Sequence, residues 1–204
     1  MEKVSRLARV VSEPTCDGAR VDVTFLVDTS ASVTDPQLHT FKRIIVDLTS
    51  GVRVAQSGVR VAVATLNAKF NVLAHLATAT DSEHLSAILD TLNFSGDDST
   101  QAAEALDEFR DRMLKEGDRG HKRLLVVMSD GAFDRPERAQ QDAEAVRRVG
   151  TQIFAVGFTQ EMKRDVLVNL TGGPDRVFQI DGDNPDDDSH WKLVGNLRKL
   201  VCSG

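Results

Sequence analysis

The stretch Arg123–Met128 (RLLVVM) constrains the fold more than any other part of the chain. A half-exposed strand alternates apolar and polar residues, whereas a nearly unbroken apolar run suits a strand covered on both faces. Such strands sit in parallel sheets flanked by helices, so strands and helices should alternate along the chain. They do. Val21–Val27 (VDVTFLV) and Thr151–Phe158 are rich in β-branched and apolar residues, Val59–Leu66 alternates, and Arg176–Ile180 reads as a short strand. Lys69–Leu76 follows Val59–Leu66 after Asn67 and Ala68 alone. That spacing makes a hairpin, so this strand should run antiparallel. Helical spacing occupies Pro36–Val54, Asp81–Leu92, Thr100–Lys115, Pro136–Val149, Glu161–Leu170 and Asp187–Val201, with Asp35 as a cap and Pro36 at the first helical position. The expected class is α/β: a doubly wound, mostly parallel open sheet, Rossmann-like, with one antiparallel edge strand and helices on both faces.

A chain of 204 residues suits one domain. The expected division is a polar N-terminal tail over 1–15, the domain over 16–202 and a short tail at 203–204. The formal net charge of −6 disfavours general nucleic-acid binding, which needs Lys and Arg against phosphate. No apolar run approaches the roughly 20 residues that span a bilayer, so membrane insertion by this segment is not expected. Met1–Thr15 has no apolar central stretch and does not read as a signal peptide, which leaves an intracellular chain or one whose leader has been removed.

The chemistry-bearing segment follows the first strand. Asp28-Thr29-Ser30-Ala31-Ser32 places a carboxylate and two hydroxyls at every second position, where a buried strand ends. Ligands of open α/β sheets bind outside the carboxyl ends of strands, where strand order reverses. A second acidic turn, Ser129-Asp130-Gly131, ends the RLLVVM strand. If the two strands are neighbours, Asp28 and Asp130 meet in one crevice, and two close carboxylates repel unless a cation or proton lies between them. Oxygen ligands without His or Cys suit Mg²⁺, Ca²⁺ or Mn²⁺ rather than zinc.

VDVTFLVDTSASV resembles the opening strand and metal loop of von Willebrand factor type A domains. In that family a metal-ion-dependent adhesion site uses Asp-x-Ser-x-Ser, matched here by Asp28, Ser30 and Ser32. The family adds a threonine from a second loop. Aligning that loop on Ala105-Leu106 puts Thr100 at the metal position, and VVMSDG supplies the last aspartate, Asp130. The resemblance covers about residues 16 to 202. It implies that Ser30, Ser32 and Thr100 give hydroxyl oxygens to the ion while Asp28 and Asp130 act largely through water. Mg²⁺ is the expected cation, with Mn²⁺ or Ca²⁺ as alternatives. A partner's carboxylate completes the coordination, so the ion recognises rather than catalyses. One departure stands out. Where the family often has two glycines before the threonine, this chain has Asp97 and Asp98. They either reach the ion, reducing its pull on a partner and favouring Ca²⁺, or point to water, the reading preferred here.

Cys16 and Cys202 admit two readings, a bridge joining the ends of the domain or two unrelated buried thiols. Flanking cysteines of A domains in matrix proteins and parasite adhesins are paired. The resemblance therefore implies a disulfide, an oxidising compartment, and a secreted or cell-surface module binding an extracellular protein. Two alternatives are a structural matrix or assembly module with a stabilising ion, and an intracellular subunit of an ATP-driven complex with free thiols.

Other features weigh less. His39, His75, His84, His121 and His190 lack metal-ligand spacing and read as core or surface residues. His121-Lys122-Arg123, with Arg119, could contact a sulfated glycan, but such runs more often begin a strand. Asp181–Asp188 could hold a hard cation and reads better as an acidic solvated loop. Asn93-Phe94-Ser95 and Asn169-Leu170-Thr171 fit the glycosylation triplet. Asp134 reads as a helix cap before it reads as a support for the metal loop. No enzyme is expected: neither Ser30 nor Ser32 has a recognisable base, and no Gly-rich phosphate loop occurs.

Overall fold

The computed structural model describes residues 16, 18–50, 52–55, 57–117, 120–158, 162–180 and 188–203. The expected N-terminal tail and residues 181–187 of the acidic run lie outside them. Strands β1 (Val21–Asp28), β2 (Val59–Leu66), β3 (Asn71–Ala74), β4 (Lys122–Met128), β5 (Thr151–Phe158) and β6 (Val177–Ile180) form one six-stranded sheet in the order β3-β2-β1-β4-β5-β6. Only the β2–β3 pair is antiparallel. Both edges therefore grow outward from β1 and β4, and strand order reverses between those two.

Helices α1 (Asp35–Thr49), α2 (Ser82–Asp90), α3 (Ala102–Glu108), α4 (Pro136–Arg148), α5 (Arg164–Thr171) and α6 (Asp188–Cys202) cover the two faces. Strand periodicity sorts the core. Val21, Val23, Phe25 and Val27 of β1 join Phe41, Ile44, Ile45 and Leu48 of α1 and Leu193, Val194 and Leu197 of α6. On the opposite face, Leu26 packs with Leu106 of α3, Ala139 and Ala143 of α4, and Leu167 and Leu170 of α5. Successive strand residues point to opposite faces, so Asp22, Thr24 and Asp28 share the Leu26 side.

Several element ends differ from the sequence reading, each for a reason its hydrogen bonds show. The first helix stops at Thr49 rather than Val54. The Thr49 hydroxyl donates to Ile45 O at 2.8 Å, and Val54 instead pairs with Val59 in an isolated bridge. Strand β3 is shorter than Lys69–Leu76, because Asn67 Oδ1 accepts the Lys69 N–H at 2.8 Å and holds the turn open to Phe70. Helix α3 starts at Ala102 rather than Thr100, since Gln101 N donates across to Asn67 O at 3.1 Å. It continues through a π turn, Phe109–Met113, into a last turn at Leu114–Glu116. Helix α5 starts at Arg164 rather than Glu161, because Lys163 N is drawn to Asp130 O at 2.7 Å.

Cys16 and Cys202 are disulfide-bonded, with Cα atoms 4.8 Å apart and a sequence separation of 186. The bond ties the segment leading into β1 to the last turn of α6. Among the described residues no helix is long and apolar enough to cross a membrane.

Candidate metal centre

The site grows from the in-register pairing of β1 and β4. Val27 lies opposite Met128, so the next residues, Asp28 and Ser129, meet where both strands end. Ser129 Oγ donates to Asp28 Oδ2 at 2.6 Å. The other carboxylate oxygen, Oδ1, accepts the Ser30 hydroxyl at 2.6 Å and the Ser30 N–H at 3.0 Å. Ser30 Oγ is 3.1 Å from Ser32 Oγ. The alternation read from Asp-x-Ser-x-Ser thus brings its three side chains together in a tight turn.

Asp28 is fully buried, Ser30, Thr100 and Asp130 are buried, and Ser32 is exposed. Burial pushes the Asp28 carboxyl above the usual carboxylate range against the hydrogen bonds from Ser129 and Ser30, and the nearby Asp130 charge adds to the rise. Among the described residues, no cation bonds to Asp28.

Asp130 is aimed by its own turn. Its Oδ1 accepts the Ala132 N–H at 2.9 Å, and Ser129 Oγ accepts the Gly131 N–H at 3.0 Å. Gly131 has φ +82°, and a Cβ there would lie 3.1 Å from Leu167 Cγ and 3.2 Å from Lys163 O. Both the left-handed backbone and the lack of room call for glycine.

Thr100 reaches the same end of the sheet through the loop after β4. Asp134 Oδ1 accepts the Thr100 N–H at 3.1 Å, Asp134 Oδ2 accepts the Ser99 hydroxyl at 2.5 Å, and Thr100 O accepts the Asp134 N–H at 3.1 Å. This corrects the reading of Asp134 as a helix cap. The N-cap of α4 is Arg135, and Asp134 is the clamp that joins the Thr100 loop to the Asp130 loop. Sequence had undervalued it because an acid before a proline-led helix looks like a cap.

The loop before Thr100 is stitched to the β1 turn. Thr29 O accepts both the N–H and the hydroxyl of Ser95, at 3.1 and 2.7 Å, and Asp97 O accepts the Ala31 N–H at 2.8 Å. Asn67 Nδ2 donates to Thr29 Oγ1 at 2.9 Å. Ser129, Ser95 and Asn67 were not singled out in the sequence as site residues. The side chains of Asp97 and Asp98 are exposed, and it is Asp97's backbone carbonyl that meets the β1 turn.

The other candidates fall away from the crevice. His121 bonds Asp22 at 2.9 Å, the Lys122 ammonium donates to Leu200 O and Ser203 Oγ, and Arg123 donates to Val149 O. The described part of that basic run is committed within the chain, and Arg119 lies outside the described residues. His190 is buried and bonds Asp47 at 2.8 Å.

The donor set fits a hard divalent cation. It offers two acidic groups that repel each other and clustered neutral hydroxyls, without nitrogen or sulfur. Residues 22–186 match the von Willebrand factor type A domain family, and the chain belongs to it. The collagen alpha-6(VI) chain of Mus musculus is 28% identical over 167 residues, which are 79% of this chain and 7% of that protein. This chain thus spans a small fraction of the curated relatives it matches. Proximal thread matrix protein 1 from the mussel byssus, solved with a zinc-occupied MIDAS motif, superposes with a TM-score of 0.79 at 19% identity, covering 98% of this chain and 52% of that one. Manganese-loaded TRAP protein of Plasmodium vivax gives a TM-score of 0.75 at 16% identity, covering 90% of this chain and 74% of that one.

Proposed function

We propose that the chain is an extracellular adhesion module that recognises an acidic group of a protein partner through a divalent cation. The observation that carries this reading is the buried Asp28 carboxylate. It is held by the hydroxyls of Ser30 and Ser129, faces a second carboxylate at Asp130, and lacks a cationic neighbour among the described residues.

Ser30, Ser32 and Thr100 would hold the ion through hydroxyl oxygens, and Asp28 and Asp130 would orient the water around it. Bound there, Mg²⁺ or Mn²⁺ supplies a positive centre able to accept one further oxygen ligand. Neutral hydroxyls leave most of the ion's charge uncancelled, which favours an anionic oxygen from a partner. The Ser30 hydroxyl is tied to the Asp28 carboxylate, which supports a reading of the site as a binding centre rather than a nucleophile. The Cys16–Cys202 disulfide supports an oxidising location, as does the likeness to a collagen chain and a byssus matrix protein.

Crystals grown with Mg²⁺ test the reading. The expected map shows one ion among Ser30, Ser32 and Thr100, with water or a neighbouring molecule's carboxylate on its open side. An ion bound elsewhere, or one whose coordination this chain fills completely, would overturn it. Thr100→Ala should leave the fold intact and abolish the rise in melting temperature that Mg²⁺ gives the parent over EDTA.

A further inference from the structure

We infer that Asn93 is an acceptor for an N-linked oligosaccharide, placed on the rim of the proposed cation crevice. Asn93-Phe94-Ser95 satisfies the acceptor triplet and lies in irregular, exposed backbone between α2 and α3. The Asn93 amide is at the surface, donating to Thr91 O at 3.0 Å. Ser95 is exposed, and its hydroxyl donates to Thr29 O at 2.7 Å and accepts the Asp97 N–H at 3.5 Å, both within loop backbone rather than a helix. The second triplet provides an internal contrast. Asn169 is inside α5, and Thr171 is fully buried, with its hydroxyl donating to Val168 O and Gly173 O at the helix end. A transferase that must grasp an extended segment and its hydroxyl can do so at 93–95 without unwinding a helix.

The position gives the modification a consequence. Ser95 and Asp97 grip Thr29 and Ala31, the two neighbours of Ser30, so Asn93 is two residues from backbone that touches the cation loop. Two residues span at most about 7 Å. A glycan rooted there stands beside the crevice, and a protein partner must approach from the far side. Phe94, 41% exposed, lies between the glycan root and that contact and offers the first sugar an apolar ring. The chemistry is a transfer from a lipid-diphosphate-linked oligosaccharide. The Asn93 Nδ2 bonds to C1 of the first sugar, and the C1–O bond to the diphosphate breaks. The lipid diphosphate leaves with the electron pair, and the displaced Nδ2 proton passes to a base of the transferase.

The screening of partners rests on the cation reading, whereas the acceptor assignment does not. The test is made on the 204-residue chain, secreted behind a leader from glycosylating eukaryotic cells. Peptide N-glycosidase in ¹⁸O-water then marks each occupied asparagine as ¹⁸O-aspartate. The expected result is label at Asn93 in excess of Asn169, and loss of one glycan's mass from Asn93→Gln. Absence of label at Asn93, or equal or greater label at Asn169, would overturn the assignment. Metal uptake is measured separately by calorimetry with Mg²⁺ alone, so failure of either claim is told apart from failure of the other.

Discussion

Asp22 and Asp28 sit on the same strand and the same face, one at each end of β1, and their surroundings differ sharply. Asp22 is gripped by Arg60, whose Nε and Nη2 donate to its two oxygens at 2.7 Å each, and by His121 at 2.9 Å. Asp28 receives hydroxyls and a backbone N–H, and its charged neighbour is another aspartate. A carboxylate serving the fold is neutralised from within the chain. On the proposed reading, one that is buried, hydrogen-bonded and set against a like charge is left for a cation from solution. On that reading the two ends of one strand separate structure from function.

The largest effect should come from breaking the internally satisfied end. Asp22→Ala leaves half-buried Arg60 without its bidentate partner and should cost about 3 kcal/mol in urea unfolding, with Mg²⁺ affinity unchanged in whatever fraction stays folded. Asp28→Asn should do the reverse. Its amide oxygen still accepts hydroxyls, and Ser129 can turn to accept from the amide, so stability in EDTA should hold or rise once the buried charge is gone. What should disappear is stabilisation by metal, which for the parent amounts to about 2.7 kcal/mol at a cation concentration a hundredfold above Kd.

Acidity sharpens the same contrast. The folded state raises the Asp28 carboxyl above its unfolded value, chiefly by burial. It therefore binds that proton more tightly than the unfolded chain does. The resulting contribution to stability is present below the unfolded pKa and is lost as pH rises through the folded one. In EDTA, protonation of Asp28 should thus favour the folded state. In Mg²⁺ the proton competes with the ion, so the metal-induced shift in melting temperature should shrink as pH falls through the raised pKa of Asp28. Asp28→Asn should remove this pH dependence. The smallest effect belongs to Asp97→Gly combined with Asp98→Gly. Both side chains are exposed, so Mg²⁺ and Ca²⁺ titrations should match those of the parent. A changed preference would show that one of these carboxylates reaches the ion.

The sheet was legible because its signal is local. Unbroken apolar runs mark β4 and β5, and a short hairpin gap marks the antiparallel β3. Helix ends were less legible, since tertiary bonds set them. Gln101 and Lys163 spend their N–H groups on Asn67 and Asp130, which delays α3 and α5. At the crevice, the resemblance pointed to residues on three loops whose own side chains carry the hydroxyls or carboxylates. Ser129 and Asp134 act across strands and loops, through Asp28 and Thr100, and no spacing within a single segment announces such a partnership.

Calorimetric titration of the EDTA-stripped chain with Mg²⁺ and Mn²⁺ addresses the central claim most directly. The account predicts uptake of one ion per chain, lost in Asp28→Asn and in Thr100→Ala while both variants remain folded. Heats indistinguishable from dilution in the parent, or unchanged uptake in both variants, would contradict it.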